Sequence, residues 1–203
     1  LRSLVGSEMC IRDRSGVGDG KFNPDGTVTR AEFLKMAMDS LGIVGHAYRD
    51  GECLDATNDD WYCYYLQGAL DKDIIPKEMI ENCNVTKVTK TLAEATDDKE
   101  AVTTDVNVYT GKFDGDKPIT REEMAAIAVR CKNYKMRRLT DWDNERRYPI
   151  FSFKDSDEID EKYISDVVEA YNLNYIDGME DGRFAPKENL TRAQAAVVMN
   201  NLK

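Results

Sequence analysis

Three arginines in this chain stand in the same local setting: Arg30 in Thr-Arg-Ala-Glu, Arg121 in Thr-Arg-Glu-Glu and Arg192 in Thr-Arg-Ala-Gln. A Thr three residues before Glu or Gln is a helix capping box. Its hydroxyl accepts from the third helical amide, and the Glu or Gln side chain reaches back to the Thr amide. Thr29/Glu32, Thr120/Glu123 and Thr191/Gln194 all satisfy it, so capping alone accounts for those six residues. The arginine is not accounted for. It falls at the first helical position, where the helix dipole makes a cation mildly unfavourable, and its side chain is expected to point outward. The same unfavourable choice made three times points to a ligand. A guanidinium presents a planar fork that holds a carboxylate or phosphate by two parallel hydrogen bonds. Free amides at the adjoining helix N-terminus would favour the same anion. The competing structural use is a salt bridge between repeats.

The elements that position these arginines repeat with them. Asp19–Glu32 placed over Asp181–Gln194, an offset of 162, gives seven identities in fourteen positions. A third copy, Lys112–Glu123, lies at an offset of 91 and keeps Phe113, Thr120, Arg121 and Glu123. The seven-residue step from Phe to Thr holds in all three copies without a gap. After each Thr the apolar residues recur at helical spacing: Phe33, Leu34, Ala37 and Leu41; Met124, Ile127, Ala128 and Cys131; Ala195, Val198, Met199 and Leu202. An upstream helix precedes copies two and three, at Asp60–Asp71 and Asp160–Tyr171, with an aromatic-acidic lead-in before each, Tyr48-Arg49-Asp50 and Phe153-Lys154-Asp155. The unit reads as helix, loop, second helix.

Boundaries follow from where the pattern holds. Residues 1–14 have no period and match no repeat; they resemble translated adapter sequence and are set aside as non-native. The first repeat spans 15–47 and lacks its upstream helix, so it is expected to be truncated. The second spans 48–138 and carries an insertion at about 77–110, rich in Thr, Asp and Lys, whose alternating valines predict a small hairpin or an irregular loop. Residues 139–152 read as a linker and 153–203 as the third repeat, and the module is expected at the C-terminal end of its parent. Gly20 and Gly182 are expected to permit tight turns, and Phe22, Phe113 and Phe184 to plug the core. Trp61, Tyr62 and Tyr163, with Tyr64 and Tyr65, have the type needed to stack on a pyranose face; aromatic core packing is the more frequent use of such residues.

Composition narrows the function classes. A net charge of -10 argues against a general binder of nucleic acid or anionic membrane, whose affinity comes from excess Lys and Arg. No apolar run is long enough to cross a bilayer as a helix. One histidine, His46, leaves little for zinc or imidazole chemistry, and no metal or other cofactor is expected. Among the five cysteines there is no CxxC pair; a disulfide among Cys53, Cys63 and Cys83 and free buried thiols both stay open.

The strings GVGDGKFNPDGTVTRAEF, ITREE and LTRAQ resemble the surface-layer-homology family over nearly all of residues 16–203 outside the insertion and linker. Copy two departs from the pattern with Gly115 where the others have Pro. The resemblance implies a mainly α fold, three repeats in a pseudo-threefold spindle with long helices at the centre and short ones as prongs. It implies grooves between repeats that bind a secondary cell-wall polysaccharide, often pyruvylated. It assigns Arg30, Arg121 and Arg192 as groove residues, a peptidoglycan-linked anionic polymer and neighbouring S-layer subunits as partners, and an extracellular wall location. A pyruvate ketal carries the carboxylate that the arginines call for.

Three rivals are weaker. Asp19–Gly26 superficially resembles a calcium loop, but Lys21 and Pro24 stand where an EF-hand needs an oxygen ligand and a glycine. The 38 acidic residues single out no carboxylate pair for glycoside hydrolysis, so no enzyme is expected here; a lost neighbouring domain would hold any catalysis. A self-assembling lattice unit without glycan contact is the third.

Overall fold

The computed structural model describes residues 22–46, 54–57, 59–93, 102–137 and 153–203. The segment 1–14, Gly20, the lead-in Tyr48-Arg49-Asp50, Cys53 and the linker 139–152 lie outside them. Five α-helices occur among the described residues: α1 (Arg30–Ser40), α2 (Cys63–Leu70), α3 (Arg121–Arg137), α4 (Glu161–Asn172) and α5 (Arg192–Asn201). Between α2 and α3 a single antiparallel hairpin pairs β1 (Glu81–Ala93) with β2 (Val102–Lys112). The protein is mainly α, and the insertion takes the hairpin form.

The helices start where the capping boxes lie. Thr29 and Thr191 cap α1 and α5 with both reciprocal bonds present. The Thr120 hydroxyl accepts from the Glu123 amide at 3.4 Å and Glu123 returns to the Thr120 amide at 3.3 Å, so α3 is capped the same way. The residue before each Thr is wholly buried, as Val28, Ile119 and Leu190 all have no exposed surface. Their backbones bond to one another in a closed cycle. Val28 N–H donates to Leu190 O at 3.0 Å, Leu190 N–H to Ile119 O at 2.9 Å, and Ile119 N–H to Val28 O at 3.0 Å. The three arginine-bearing helix starts are thereby tied around one point.

Their first turns extend the cycle. The first two amides of α1 donate to Lys117 O and Gly115 O, those of α3 to Glu188 O and Pro186 O, and those of α5 to Gly26 O and Pro24 O, all between 2.8 and 3.2 Å. Each helix start thus sits on the loop of another copy. A helix N-terminus leaves such amides without intrahelical partners, and here the neighbouring loop supplies them. The amides expected to be free for an anion are therefore taken. That part of the sequence reading is corrected.

Outside this junction the core is aliphatic and aromatic. α3 packs chiefly along α4, and α1 touches α2, α3 and α5. Phe113 and Phe184 are completely buried, as expected of core plugs, but Phe22 is 46% exposed. The difference lies in what covers the ring. Tyr62 packs against Phe113 and Phe153 stacks on Phe184, centroids 5.4 Å apart in the second pair, whereas no described aromatic ring covers Phe22. The residue after each Phe (Asn23, Asp114 and Ala185) has a left-handed backbone, φ 49, 56 and 58°. The bend expected of glycine falls on these positions as well as on Gly182, φ 86°. Two carboxylates pin it: Asp155 accepts from Phe184 N–H and Ala185 N–H at 2.8 and 2.7 Å, and Asp55 from Phe113 N–H and Asp114 N–H at 2.7 and 3.0 Å. Asp55 thus does in the second copy what Asp155 does in the third. Gly115 also finds its reason, since a Cβ there would meet the Tyr62 ring at 2.6 Å.

Candidate functional site

The three arginines all reach across to the next copy, and each does the same first thing. Its guanidinium donates to the carbonyl of the neighbouring phenylalanine: Arg30 to Phe113 O at 2.6 Å, Arg121 to Phe184 O at 2.7 Å and Arg192 to Phe22 O at 3.0 Å. Each also lies over that phenylalanine's ring, with centroid distances of 6.0, 5.1 and 5.5 Å. Contact of a guanidinium with an aromatic face contributes about 0.5–2 kcal/mol, more when desolvated. The cation at the start of each helix is thus offset by a carbonyl and a ring from the neighbour. The outward orientation expected at this position fails for Arg30 and Arg121, which are 6 and 5% exposed.

Beyond that shared contact the interfaces diverge. Arg30 grips Glu123 with its fork: Nε donates to Oε2 at 3.1 Å and Nη2 to Oε1. Both side chains are 7% exposed, and Nη1 also reaches Met79 O. Glu123 is the capping residue of α3, so one carboxylate closes a cap and an inter-repeat ion pair together. At this interface the competing use of the arginine, a salt bridge between repeats, is what the geometry holds.

Arg121 has no such acid. Its Nε takes Phe184 O, its Nη2 donates to Asp177 O at 3.0 Å, and Nη1 has no partner among the described residues. Burial lowers its pKa from the usual guanidinium value, an effect that the charges of Glu188, Asp155 and Asp177 oppose. The corresponding position across the interface is Gln194, whose Oε1 accepts from the Thr191 amide at 3.0 Å. A cleft of about 160 Å³ opens here, lined by Arg121, Tyr175, Asp177, Met179, Gln194 and Val197 among others. With Oε1 committed, the rest of the Gln194 amide is a donor. The cleft therefore joins a buried guanidinium to a second donor, with no carboxylate bonded to either, on a partly apolar floor.

The aromatic candidates separate by exposure. Tyr62 and Tyr163 are 6 and 2% exposed and serve the core, Tyr62 against Phe113 and Gly115. Burial raises the Tyr163 pKa, helped by the Glu123 charge and opposed by that of Arg30. Trp61, 37% exposed and edge-on to Tyr62, is the one of the three that offers a ring at the surface. Gln194 and the carbonyls of Phe184 and Asp177 carried no sequence signal as site components, except that Gln replaces Glu at the third capping position.

Residues 15–34 and 152–196 match the family model described as the S-layer homology domain. The chain carries S-layer homology domains. It is 32% identical over 187 residues to an amylopullulanase of Thermoanaerobacterium thermosulfurigenes and 33% over 190 residues to the exoglucanase XynX of Acetivibrio thermocellus. It is also 30% identical over 188 residues to an endoglucanase of Bacillus sp. (strain KSM-635). These alignments cover 92 to 93% of this chain but only 8, 14 and 16% of the relatives. S-layer homology domains are non-catalytic modules that hold proteins at the cell wall, and residues 15–34 and 152–196 carry that signature.

Proposed function

We propose that the chain anchors a larger extracellular protein by binding an anionic, pyruvylated secondary wall polysaccharide in a cleft between repeats set as a pseudo-threefold spindle. The observation that carries this reading is Arg121. It is a nearly buried guanidinium with a spare nitrogen, no bonded acid, and a cleft in front of it. Glu188, Asp155 and Asp177 act on it through their charges but none bonds to it, and a buried charge without a bonded acid is costly unless hydrogen bonds or a ligand compensate. Carbonyls supply part of the compensation, and a carboxylate from outside would complete it. A pyruvate ketal has the right size and charge, while its sugar ring would rest on the apolar side near Tyr175 and Val197. Arg192 is the second candidate, more open and held by one carbonyl. Arg30 contributes by locking its interface. The named relatives suggest a polysaccharide-degrading enzyme as cargo, attached outside the stretch seen here.

The test is co-sedimentation of the full chain with Gram-positive wall sacculi, half of them stripped of secondary polymer by hydrofluoric acid. Binding to intact walls and not to stripped ones is expected. Equal binding to both, or none by a folded sample, would remove the polymer reading and favour a lattice unit that touches no glycan.

A further inference from the structure

The hairpin of the second copy has no counterpart between α4 and α5, so the helical frame does not require it. At its base Tyr109 is buried, its hydroxyl donating to Leu70 O at 3.4 Å, and Cys83 and Val85 lie against the core. Past that base Thr86, Lys87, Val88 and Thr89 are exposed, as are Thr103, Asp105 and Asn107 on the other strand. A two-stranded ribbon is marginal in water, and further strands are what make such a sheet stable. Each edge also offers unpaired backbone N–H and C=O groups to an added strand. The two edges are not alike. β1 carries Lys87 and Lys90, the residue type that guards an edge against pairing, whereas Asp105 is the single charge between Val102 and Tyr109 of β2. No proline interrupts that stretch.

We propose that β2 is a self-docking edge, which pairs antiparallel with β2 of a second copy about a twofold axis at Val106. The contact is independent of the polysaccharide reading above. Charge chooses the register. An axis at Val106 sets Asp105 opposite Asn107 of the second copy, and Asn107 opposite its Asp105, so no like charges meet. An axis at Asp105 would set two carboxylates directly opposite each other, which is destabilising. Asp105 already accepts from the Thr89 hydroxyl at 2.7 Å through Oδ1, and a carboxylate has a second oxygen to take an amide N–H of Asn107. Val108 then lies beside Thr104 of the second copy and loses water-exposed surface. The twofold leaves β1 and its lysines outermost, so the contact closes at a four-stranded sheet in a dimer. Copies held on one wall meet at high effective concentration, where a contact too weak for dilute monomers becomes populated.

The experiment is sedimentation equilibrium of the full chain up to about 1 mM, the range of a weak contact, with Asn107→Asp and Asn107→Lys beside wild type. Within its own hairpin residue 107 stands opposite Lys87. The aspartate therefore supports the hairpin, yet it sets carboxylates opposite one another at both symmetric positions of the dimer. The lysine opposes Lys87 in the hairpin, yet it places two ion pairs across the axis. Wild type is expected to show a reversible monomer–dimer equilibrium, weakened about tenfold by Asn107→Asp and tightened about tenfold by Asn107→Lys. Damage to the hairpin would give the opposite order. Thr86→Asp and Thr86→Lys make the same charge changes on the β1 edge, and in ordinary salt they are expected to move the constant less than about twofold. A chain that stays monomeric throughout, species larger than a dimer, or residue 107 variants that shift the constant no more than those at residue 86 would overturn the proposal.

Discussion

The Arg30 and Arg121 interfaces are built from the same parts and end in opposite states. Both bury an arginine from the first helical turn, both give it the carbonyl and ring of the next copy's phenylalanine, and both seat it on a capped helix. At Arg30 the cap is an acid and the charge is neutralised internally; at Arg121 the cap is an amide and a cleft remains. One carboxylate separates a structural staple from a candidate binding site. The comparison teaches that a repeated motif does not carry a repeated function, because the partner across the interface completes it.

Stability should divide the two regions most sharply. Glu123→Ala strips a buried guanidinium of its counter-ion and is expected to cost about 3–5 kcal/mol. Gln194→Ala removes only a capping contact, with an expected loss of about 1 kcal/mol. Chemical denaturation of both variants measures the gap, and equal losses would mean that the two arginines are held alike.

A smaller effect concerns acid. Lys187 bridges Asp160 at 2.5 Å and Glu122 at 2.7 Å, joining the α3 start to the loop before α5 beside the open interface. Its hydrogen bond holds the Asp160 carboxyl below the usual aspartate value of 3.8. A depressed carboxyl stabilises the fold above its unfolded pKa, and that stabilisation is lost as pH falls through the lower folded value. Asp160→Asn should therefore be slightly less stable than wild type near neutrality and converge on it below about pH 4, in melting temperatures taken against pH. Parallel curves would show that the bridge adds nothing at this interface.

Much of the frame was legible in the sequence because it rests on short-range rules. Thr-x-x-Glu marks a helix start wherever it falls, so all three capping boxes lie where the spacing put them. The alternating valines of the insertion anticipated a hairpin, and the strands prove longer than a small one, thirteen and eleven residues. What escaped depends on contacts between distant segments. Phe22 shares the motif of Phe184, yet among the described residues no aromatic ring covers it as Phe153 covers Phe184, and no local pattern encodes that. The helix amides looked free in isolation and are filled by loops about 65 to 170 residues away. The arginines invited one shared reading, whereas their state depends on Glu123 and Gln194, which local reasoning treated as interchangeable caps.

The most direct measurement follows the side-chain Nε–H resonances of the arginines by nitrogen-15 NMR while the pyruvate ketal is added to the full chain. Arg121 is expected to shift with saturation and Arg30 to stay in place. A shift of Arg30 equal to that of Arg121, or movement of Arg30 alone, would contradict the division between a closed interface and an open one.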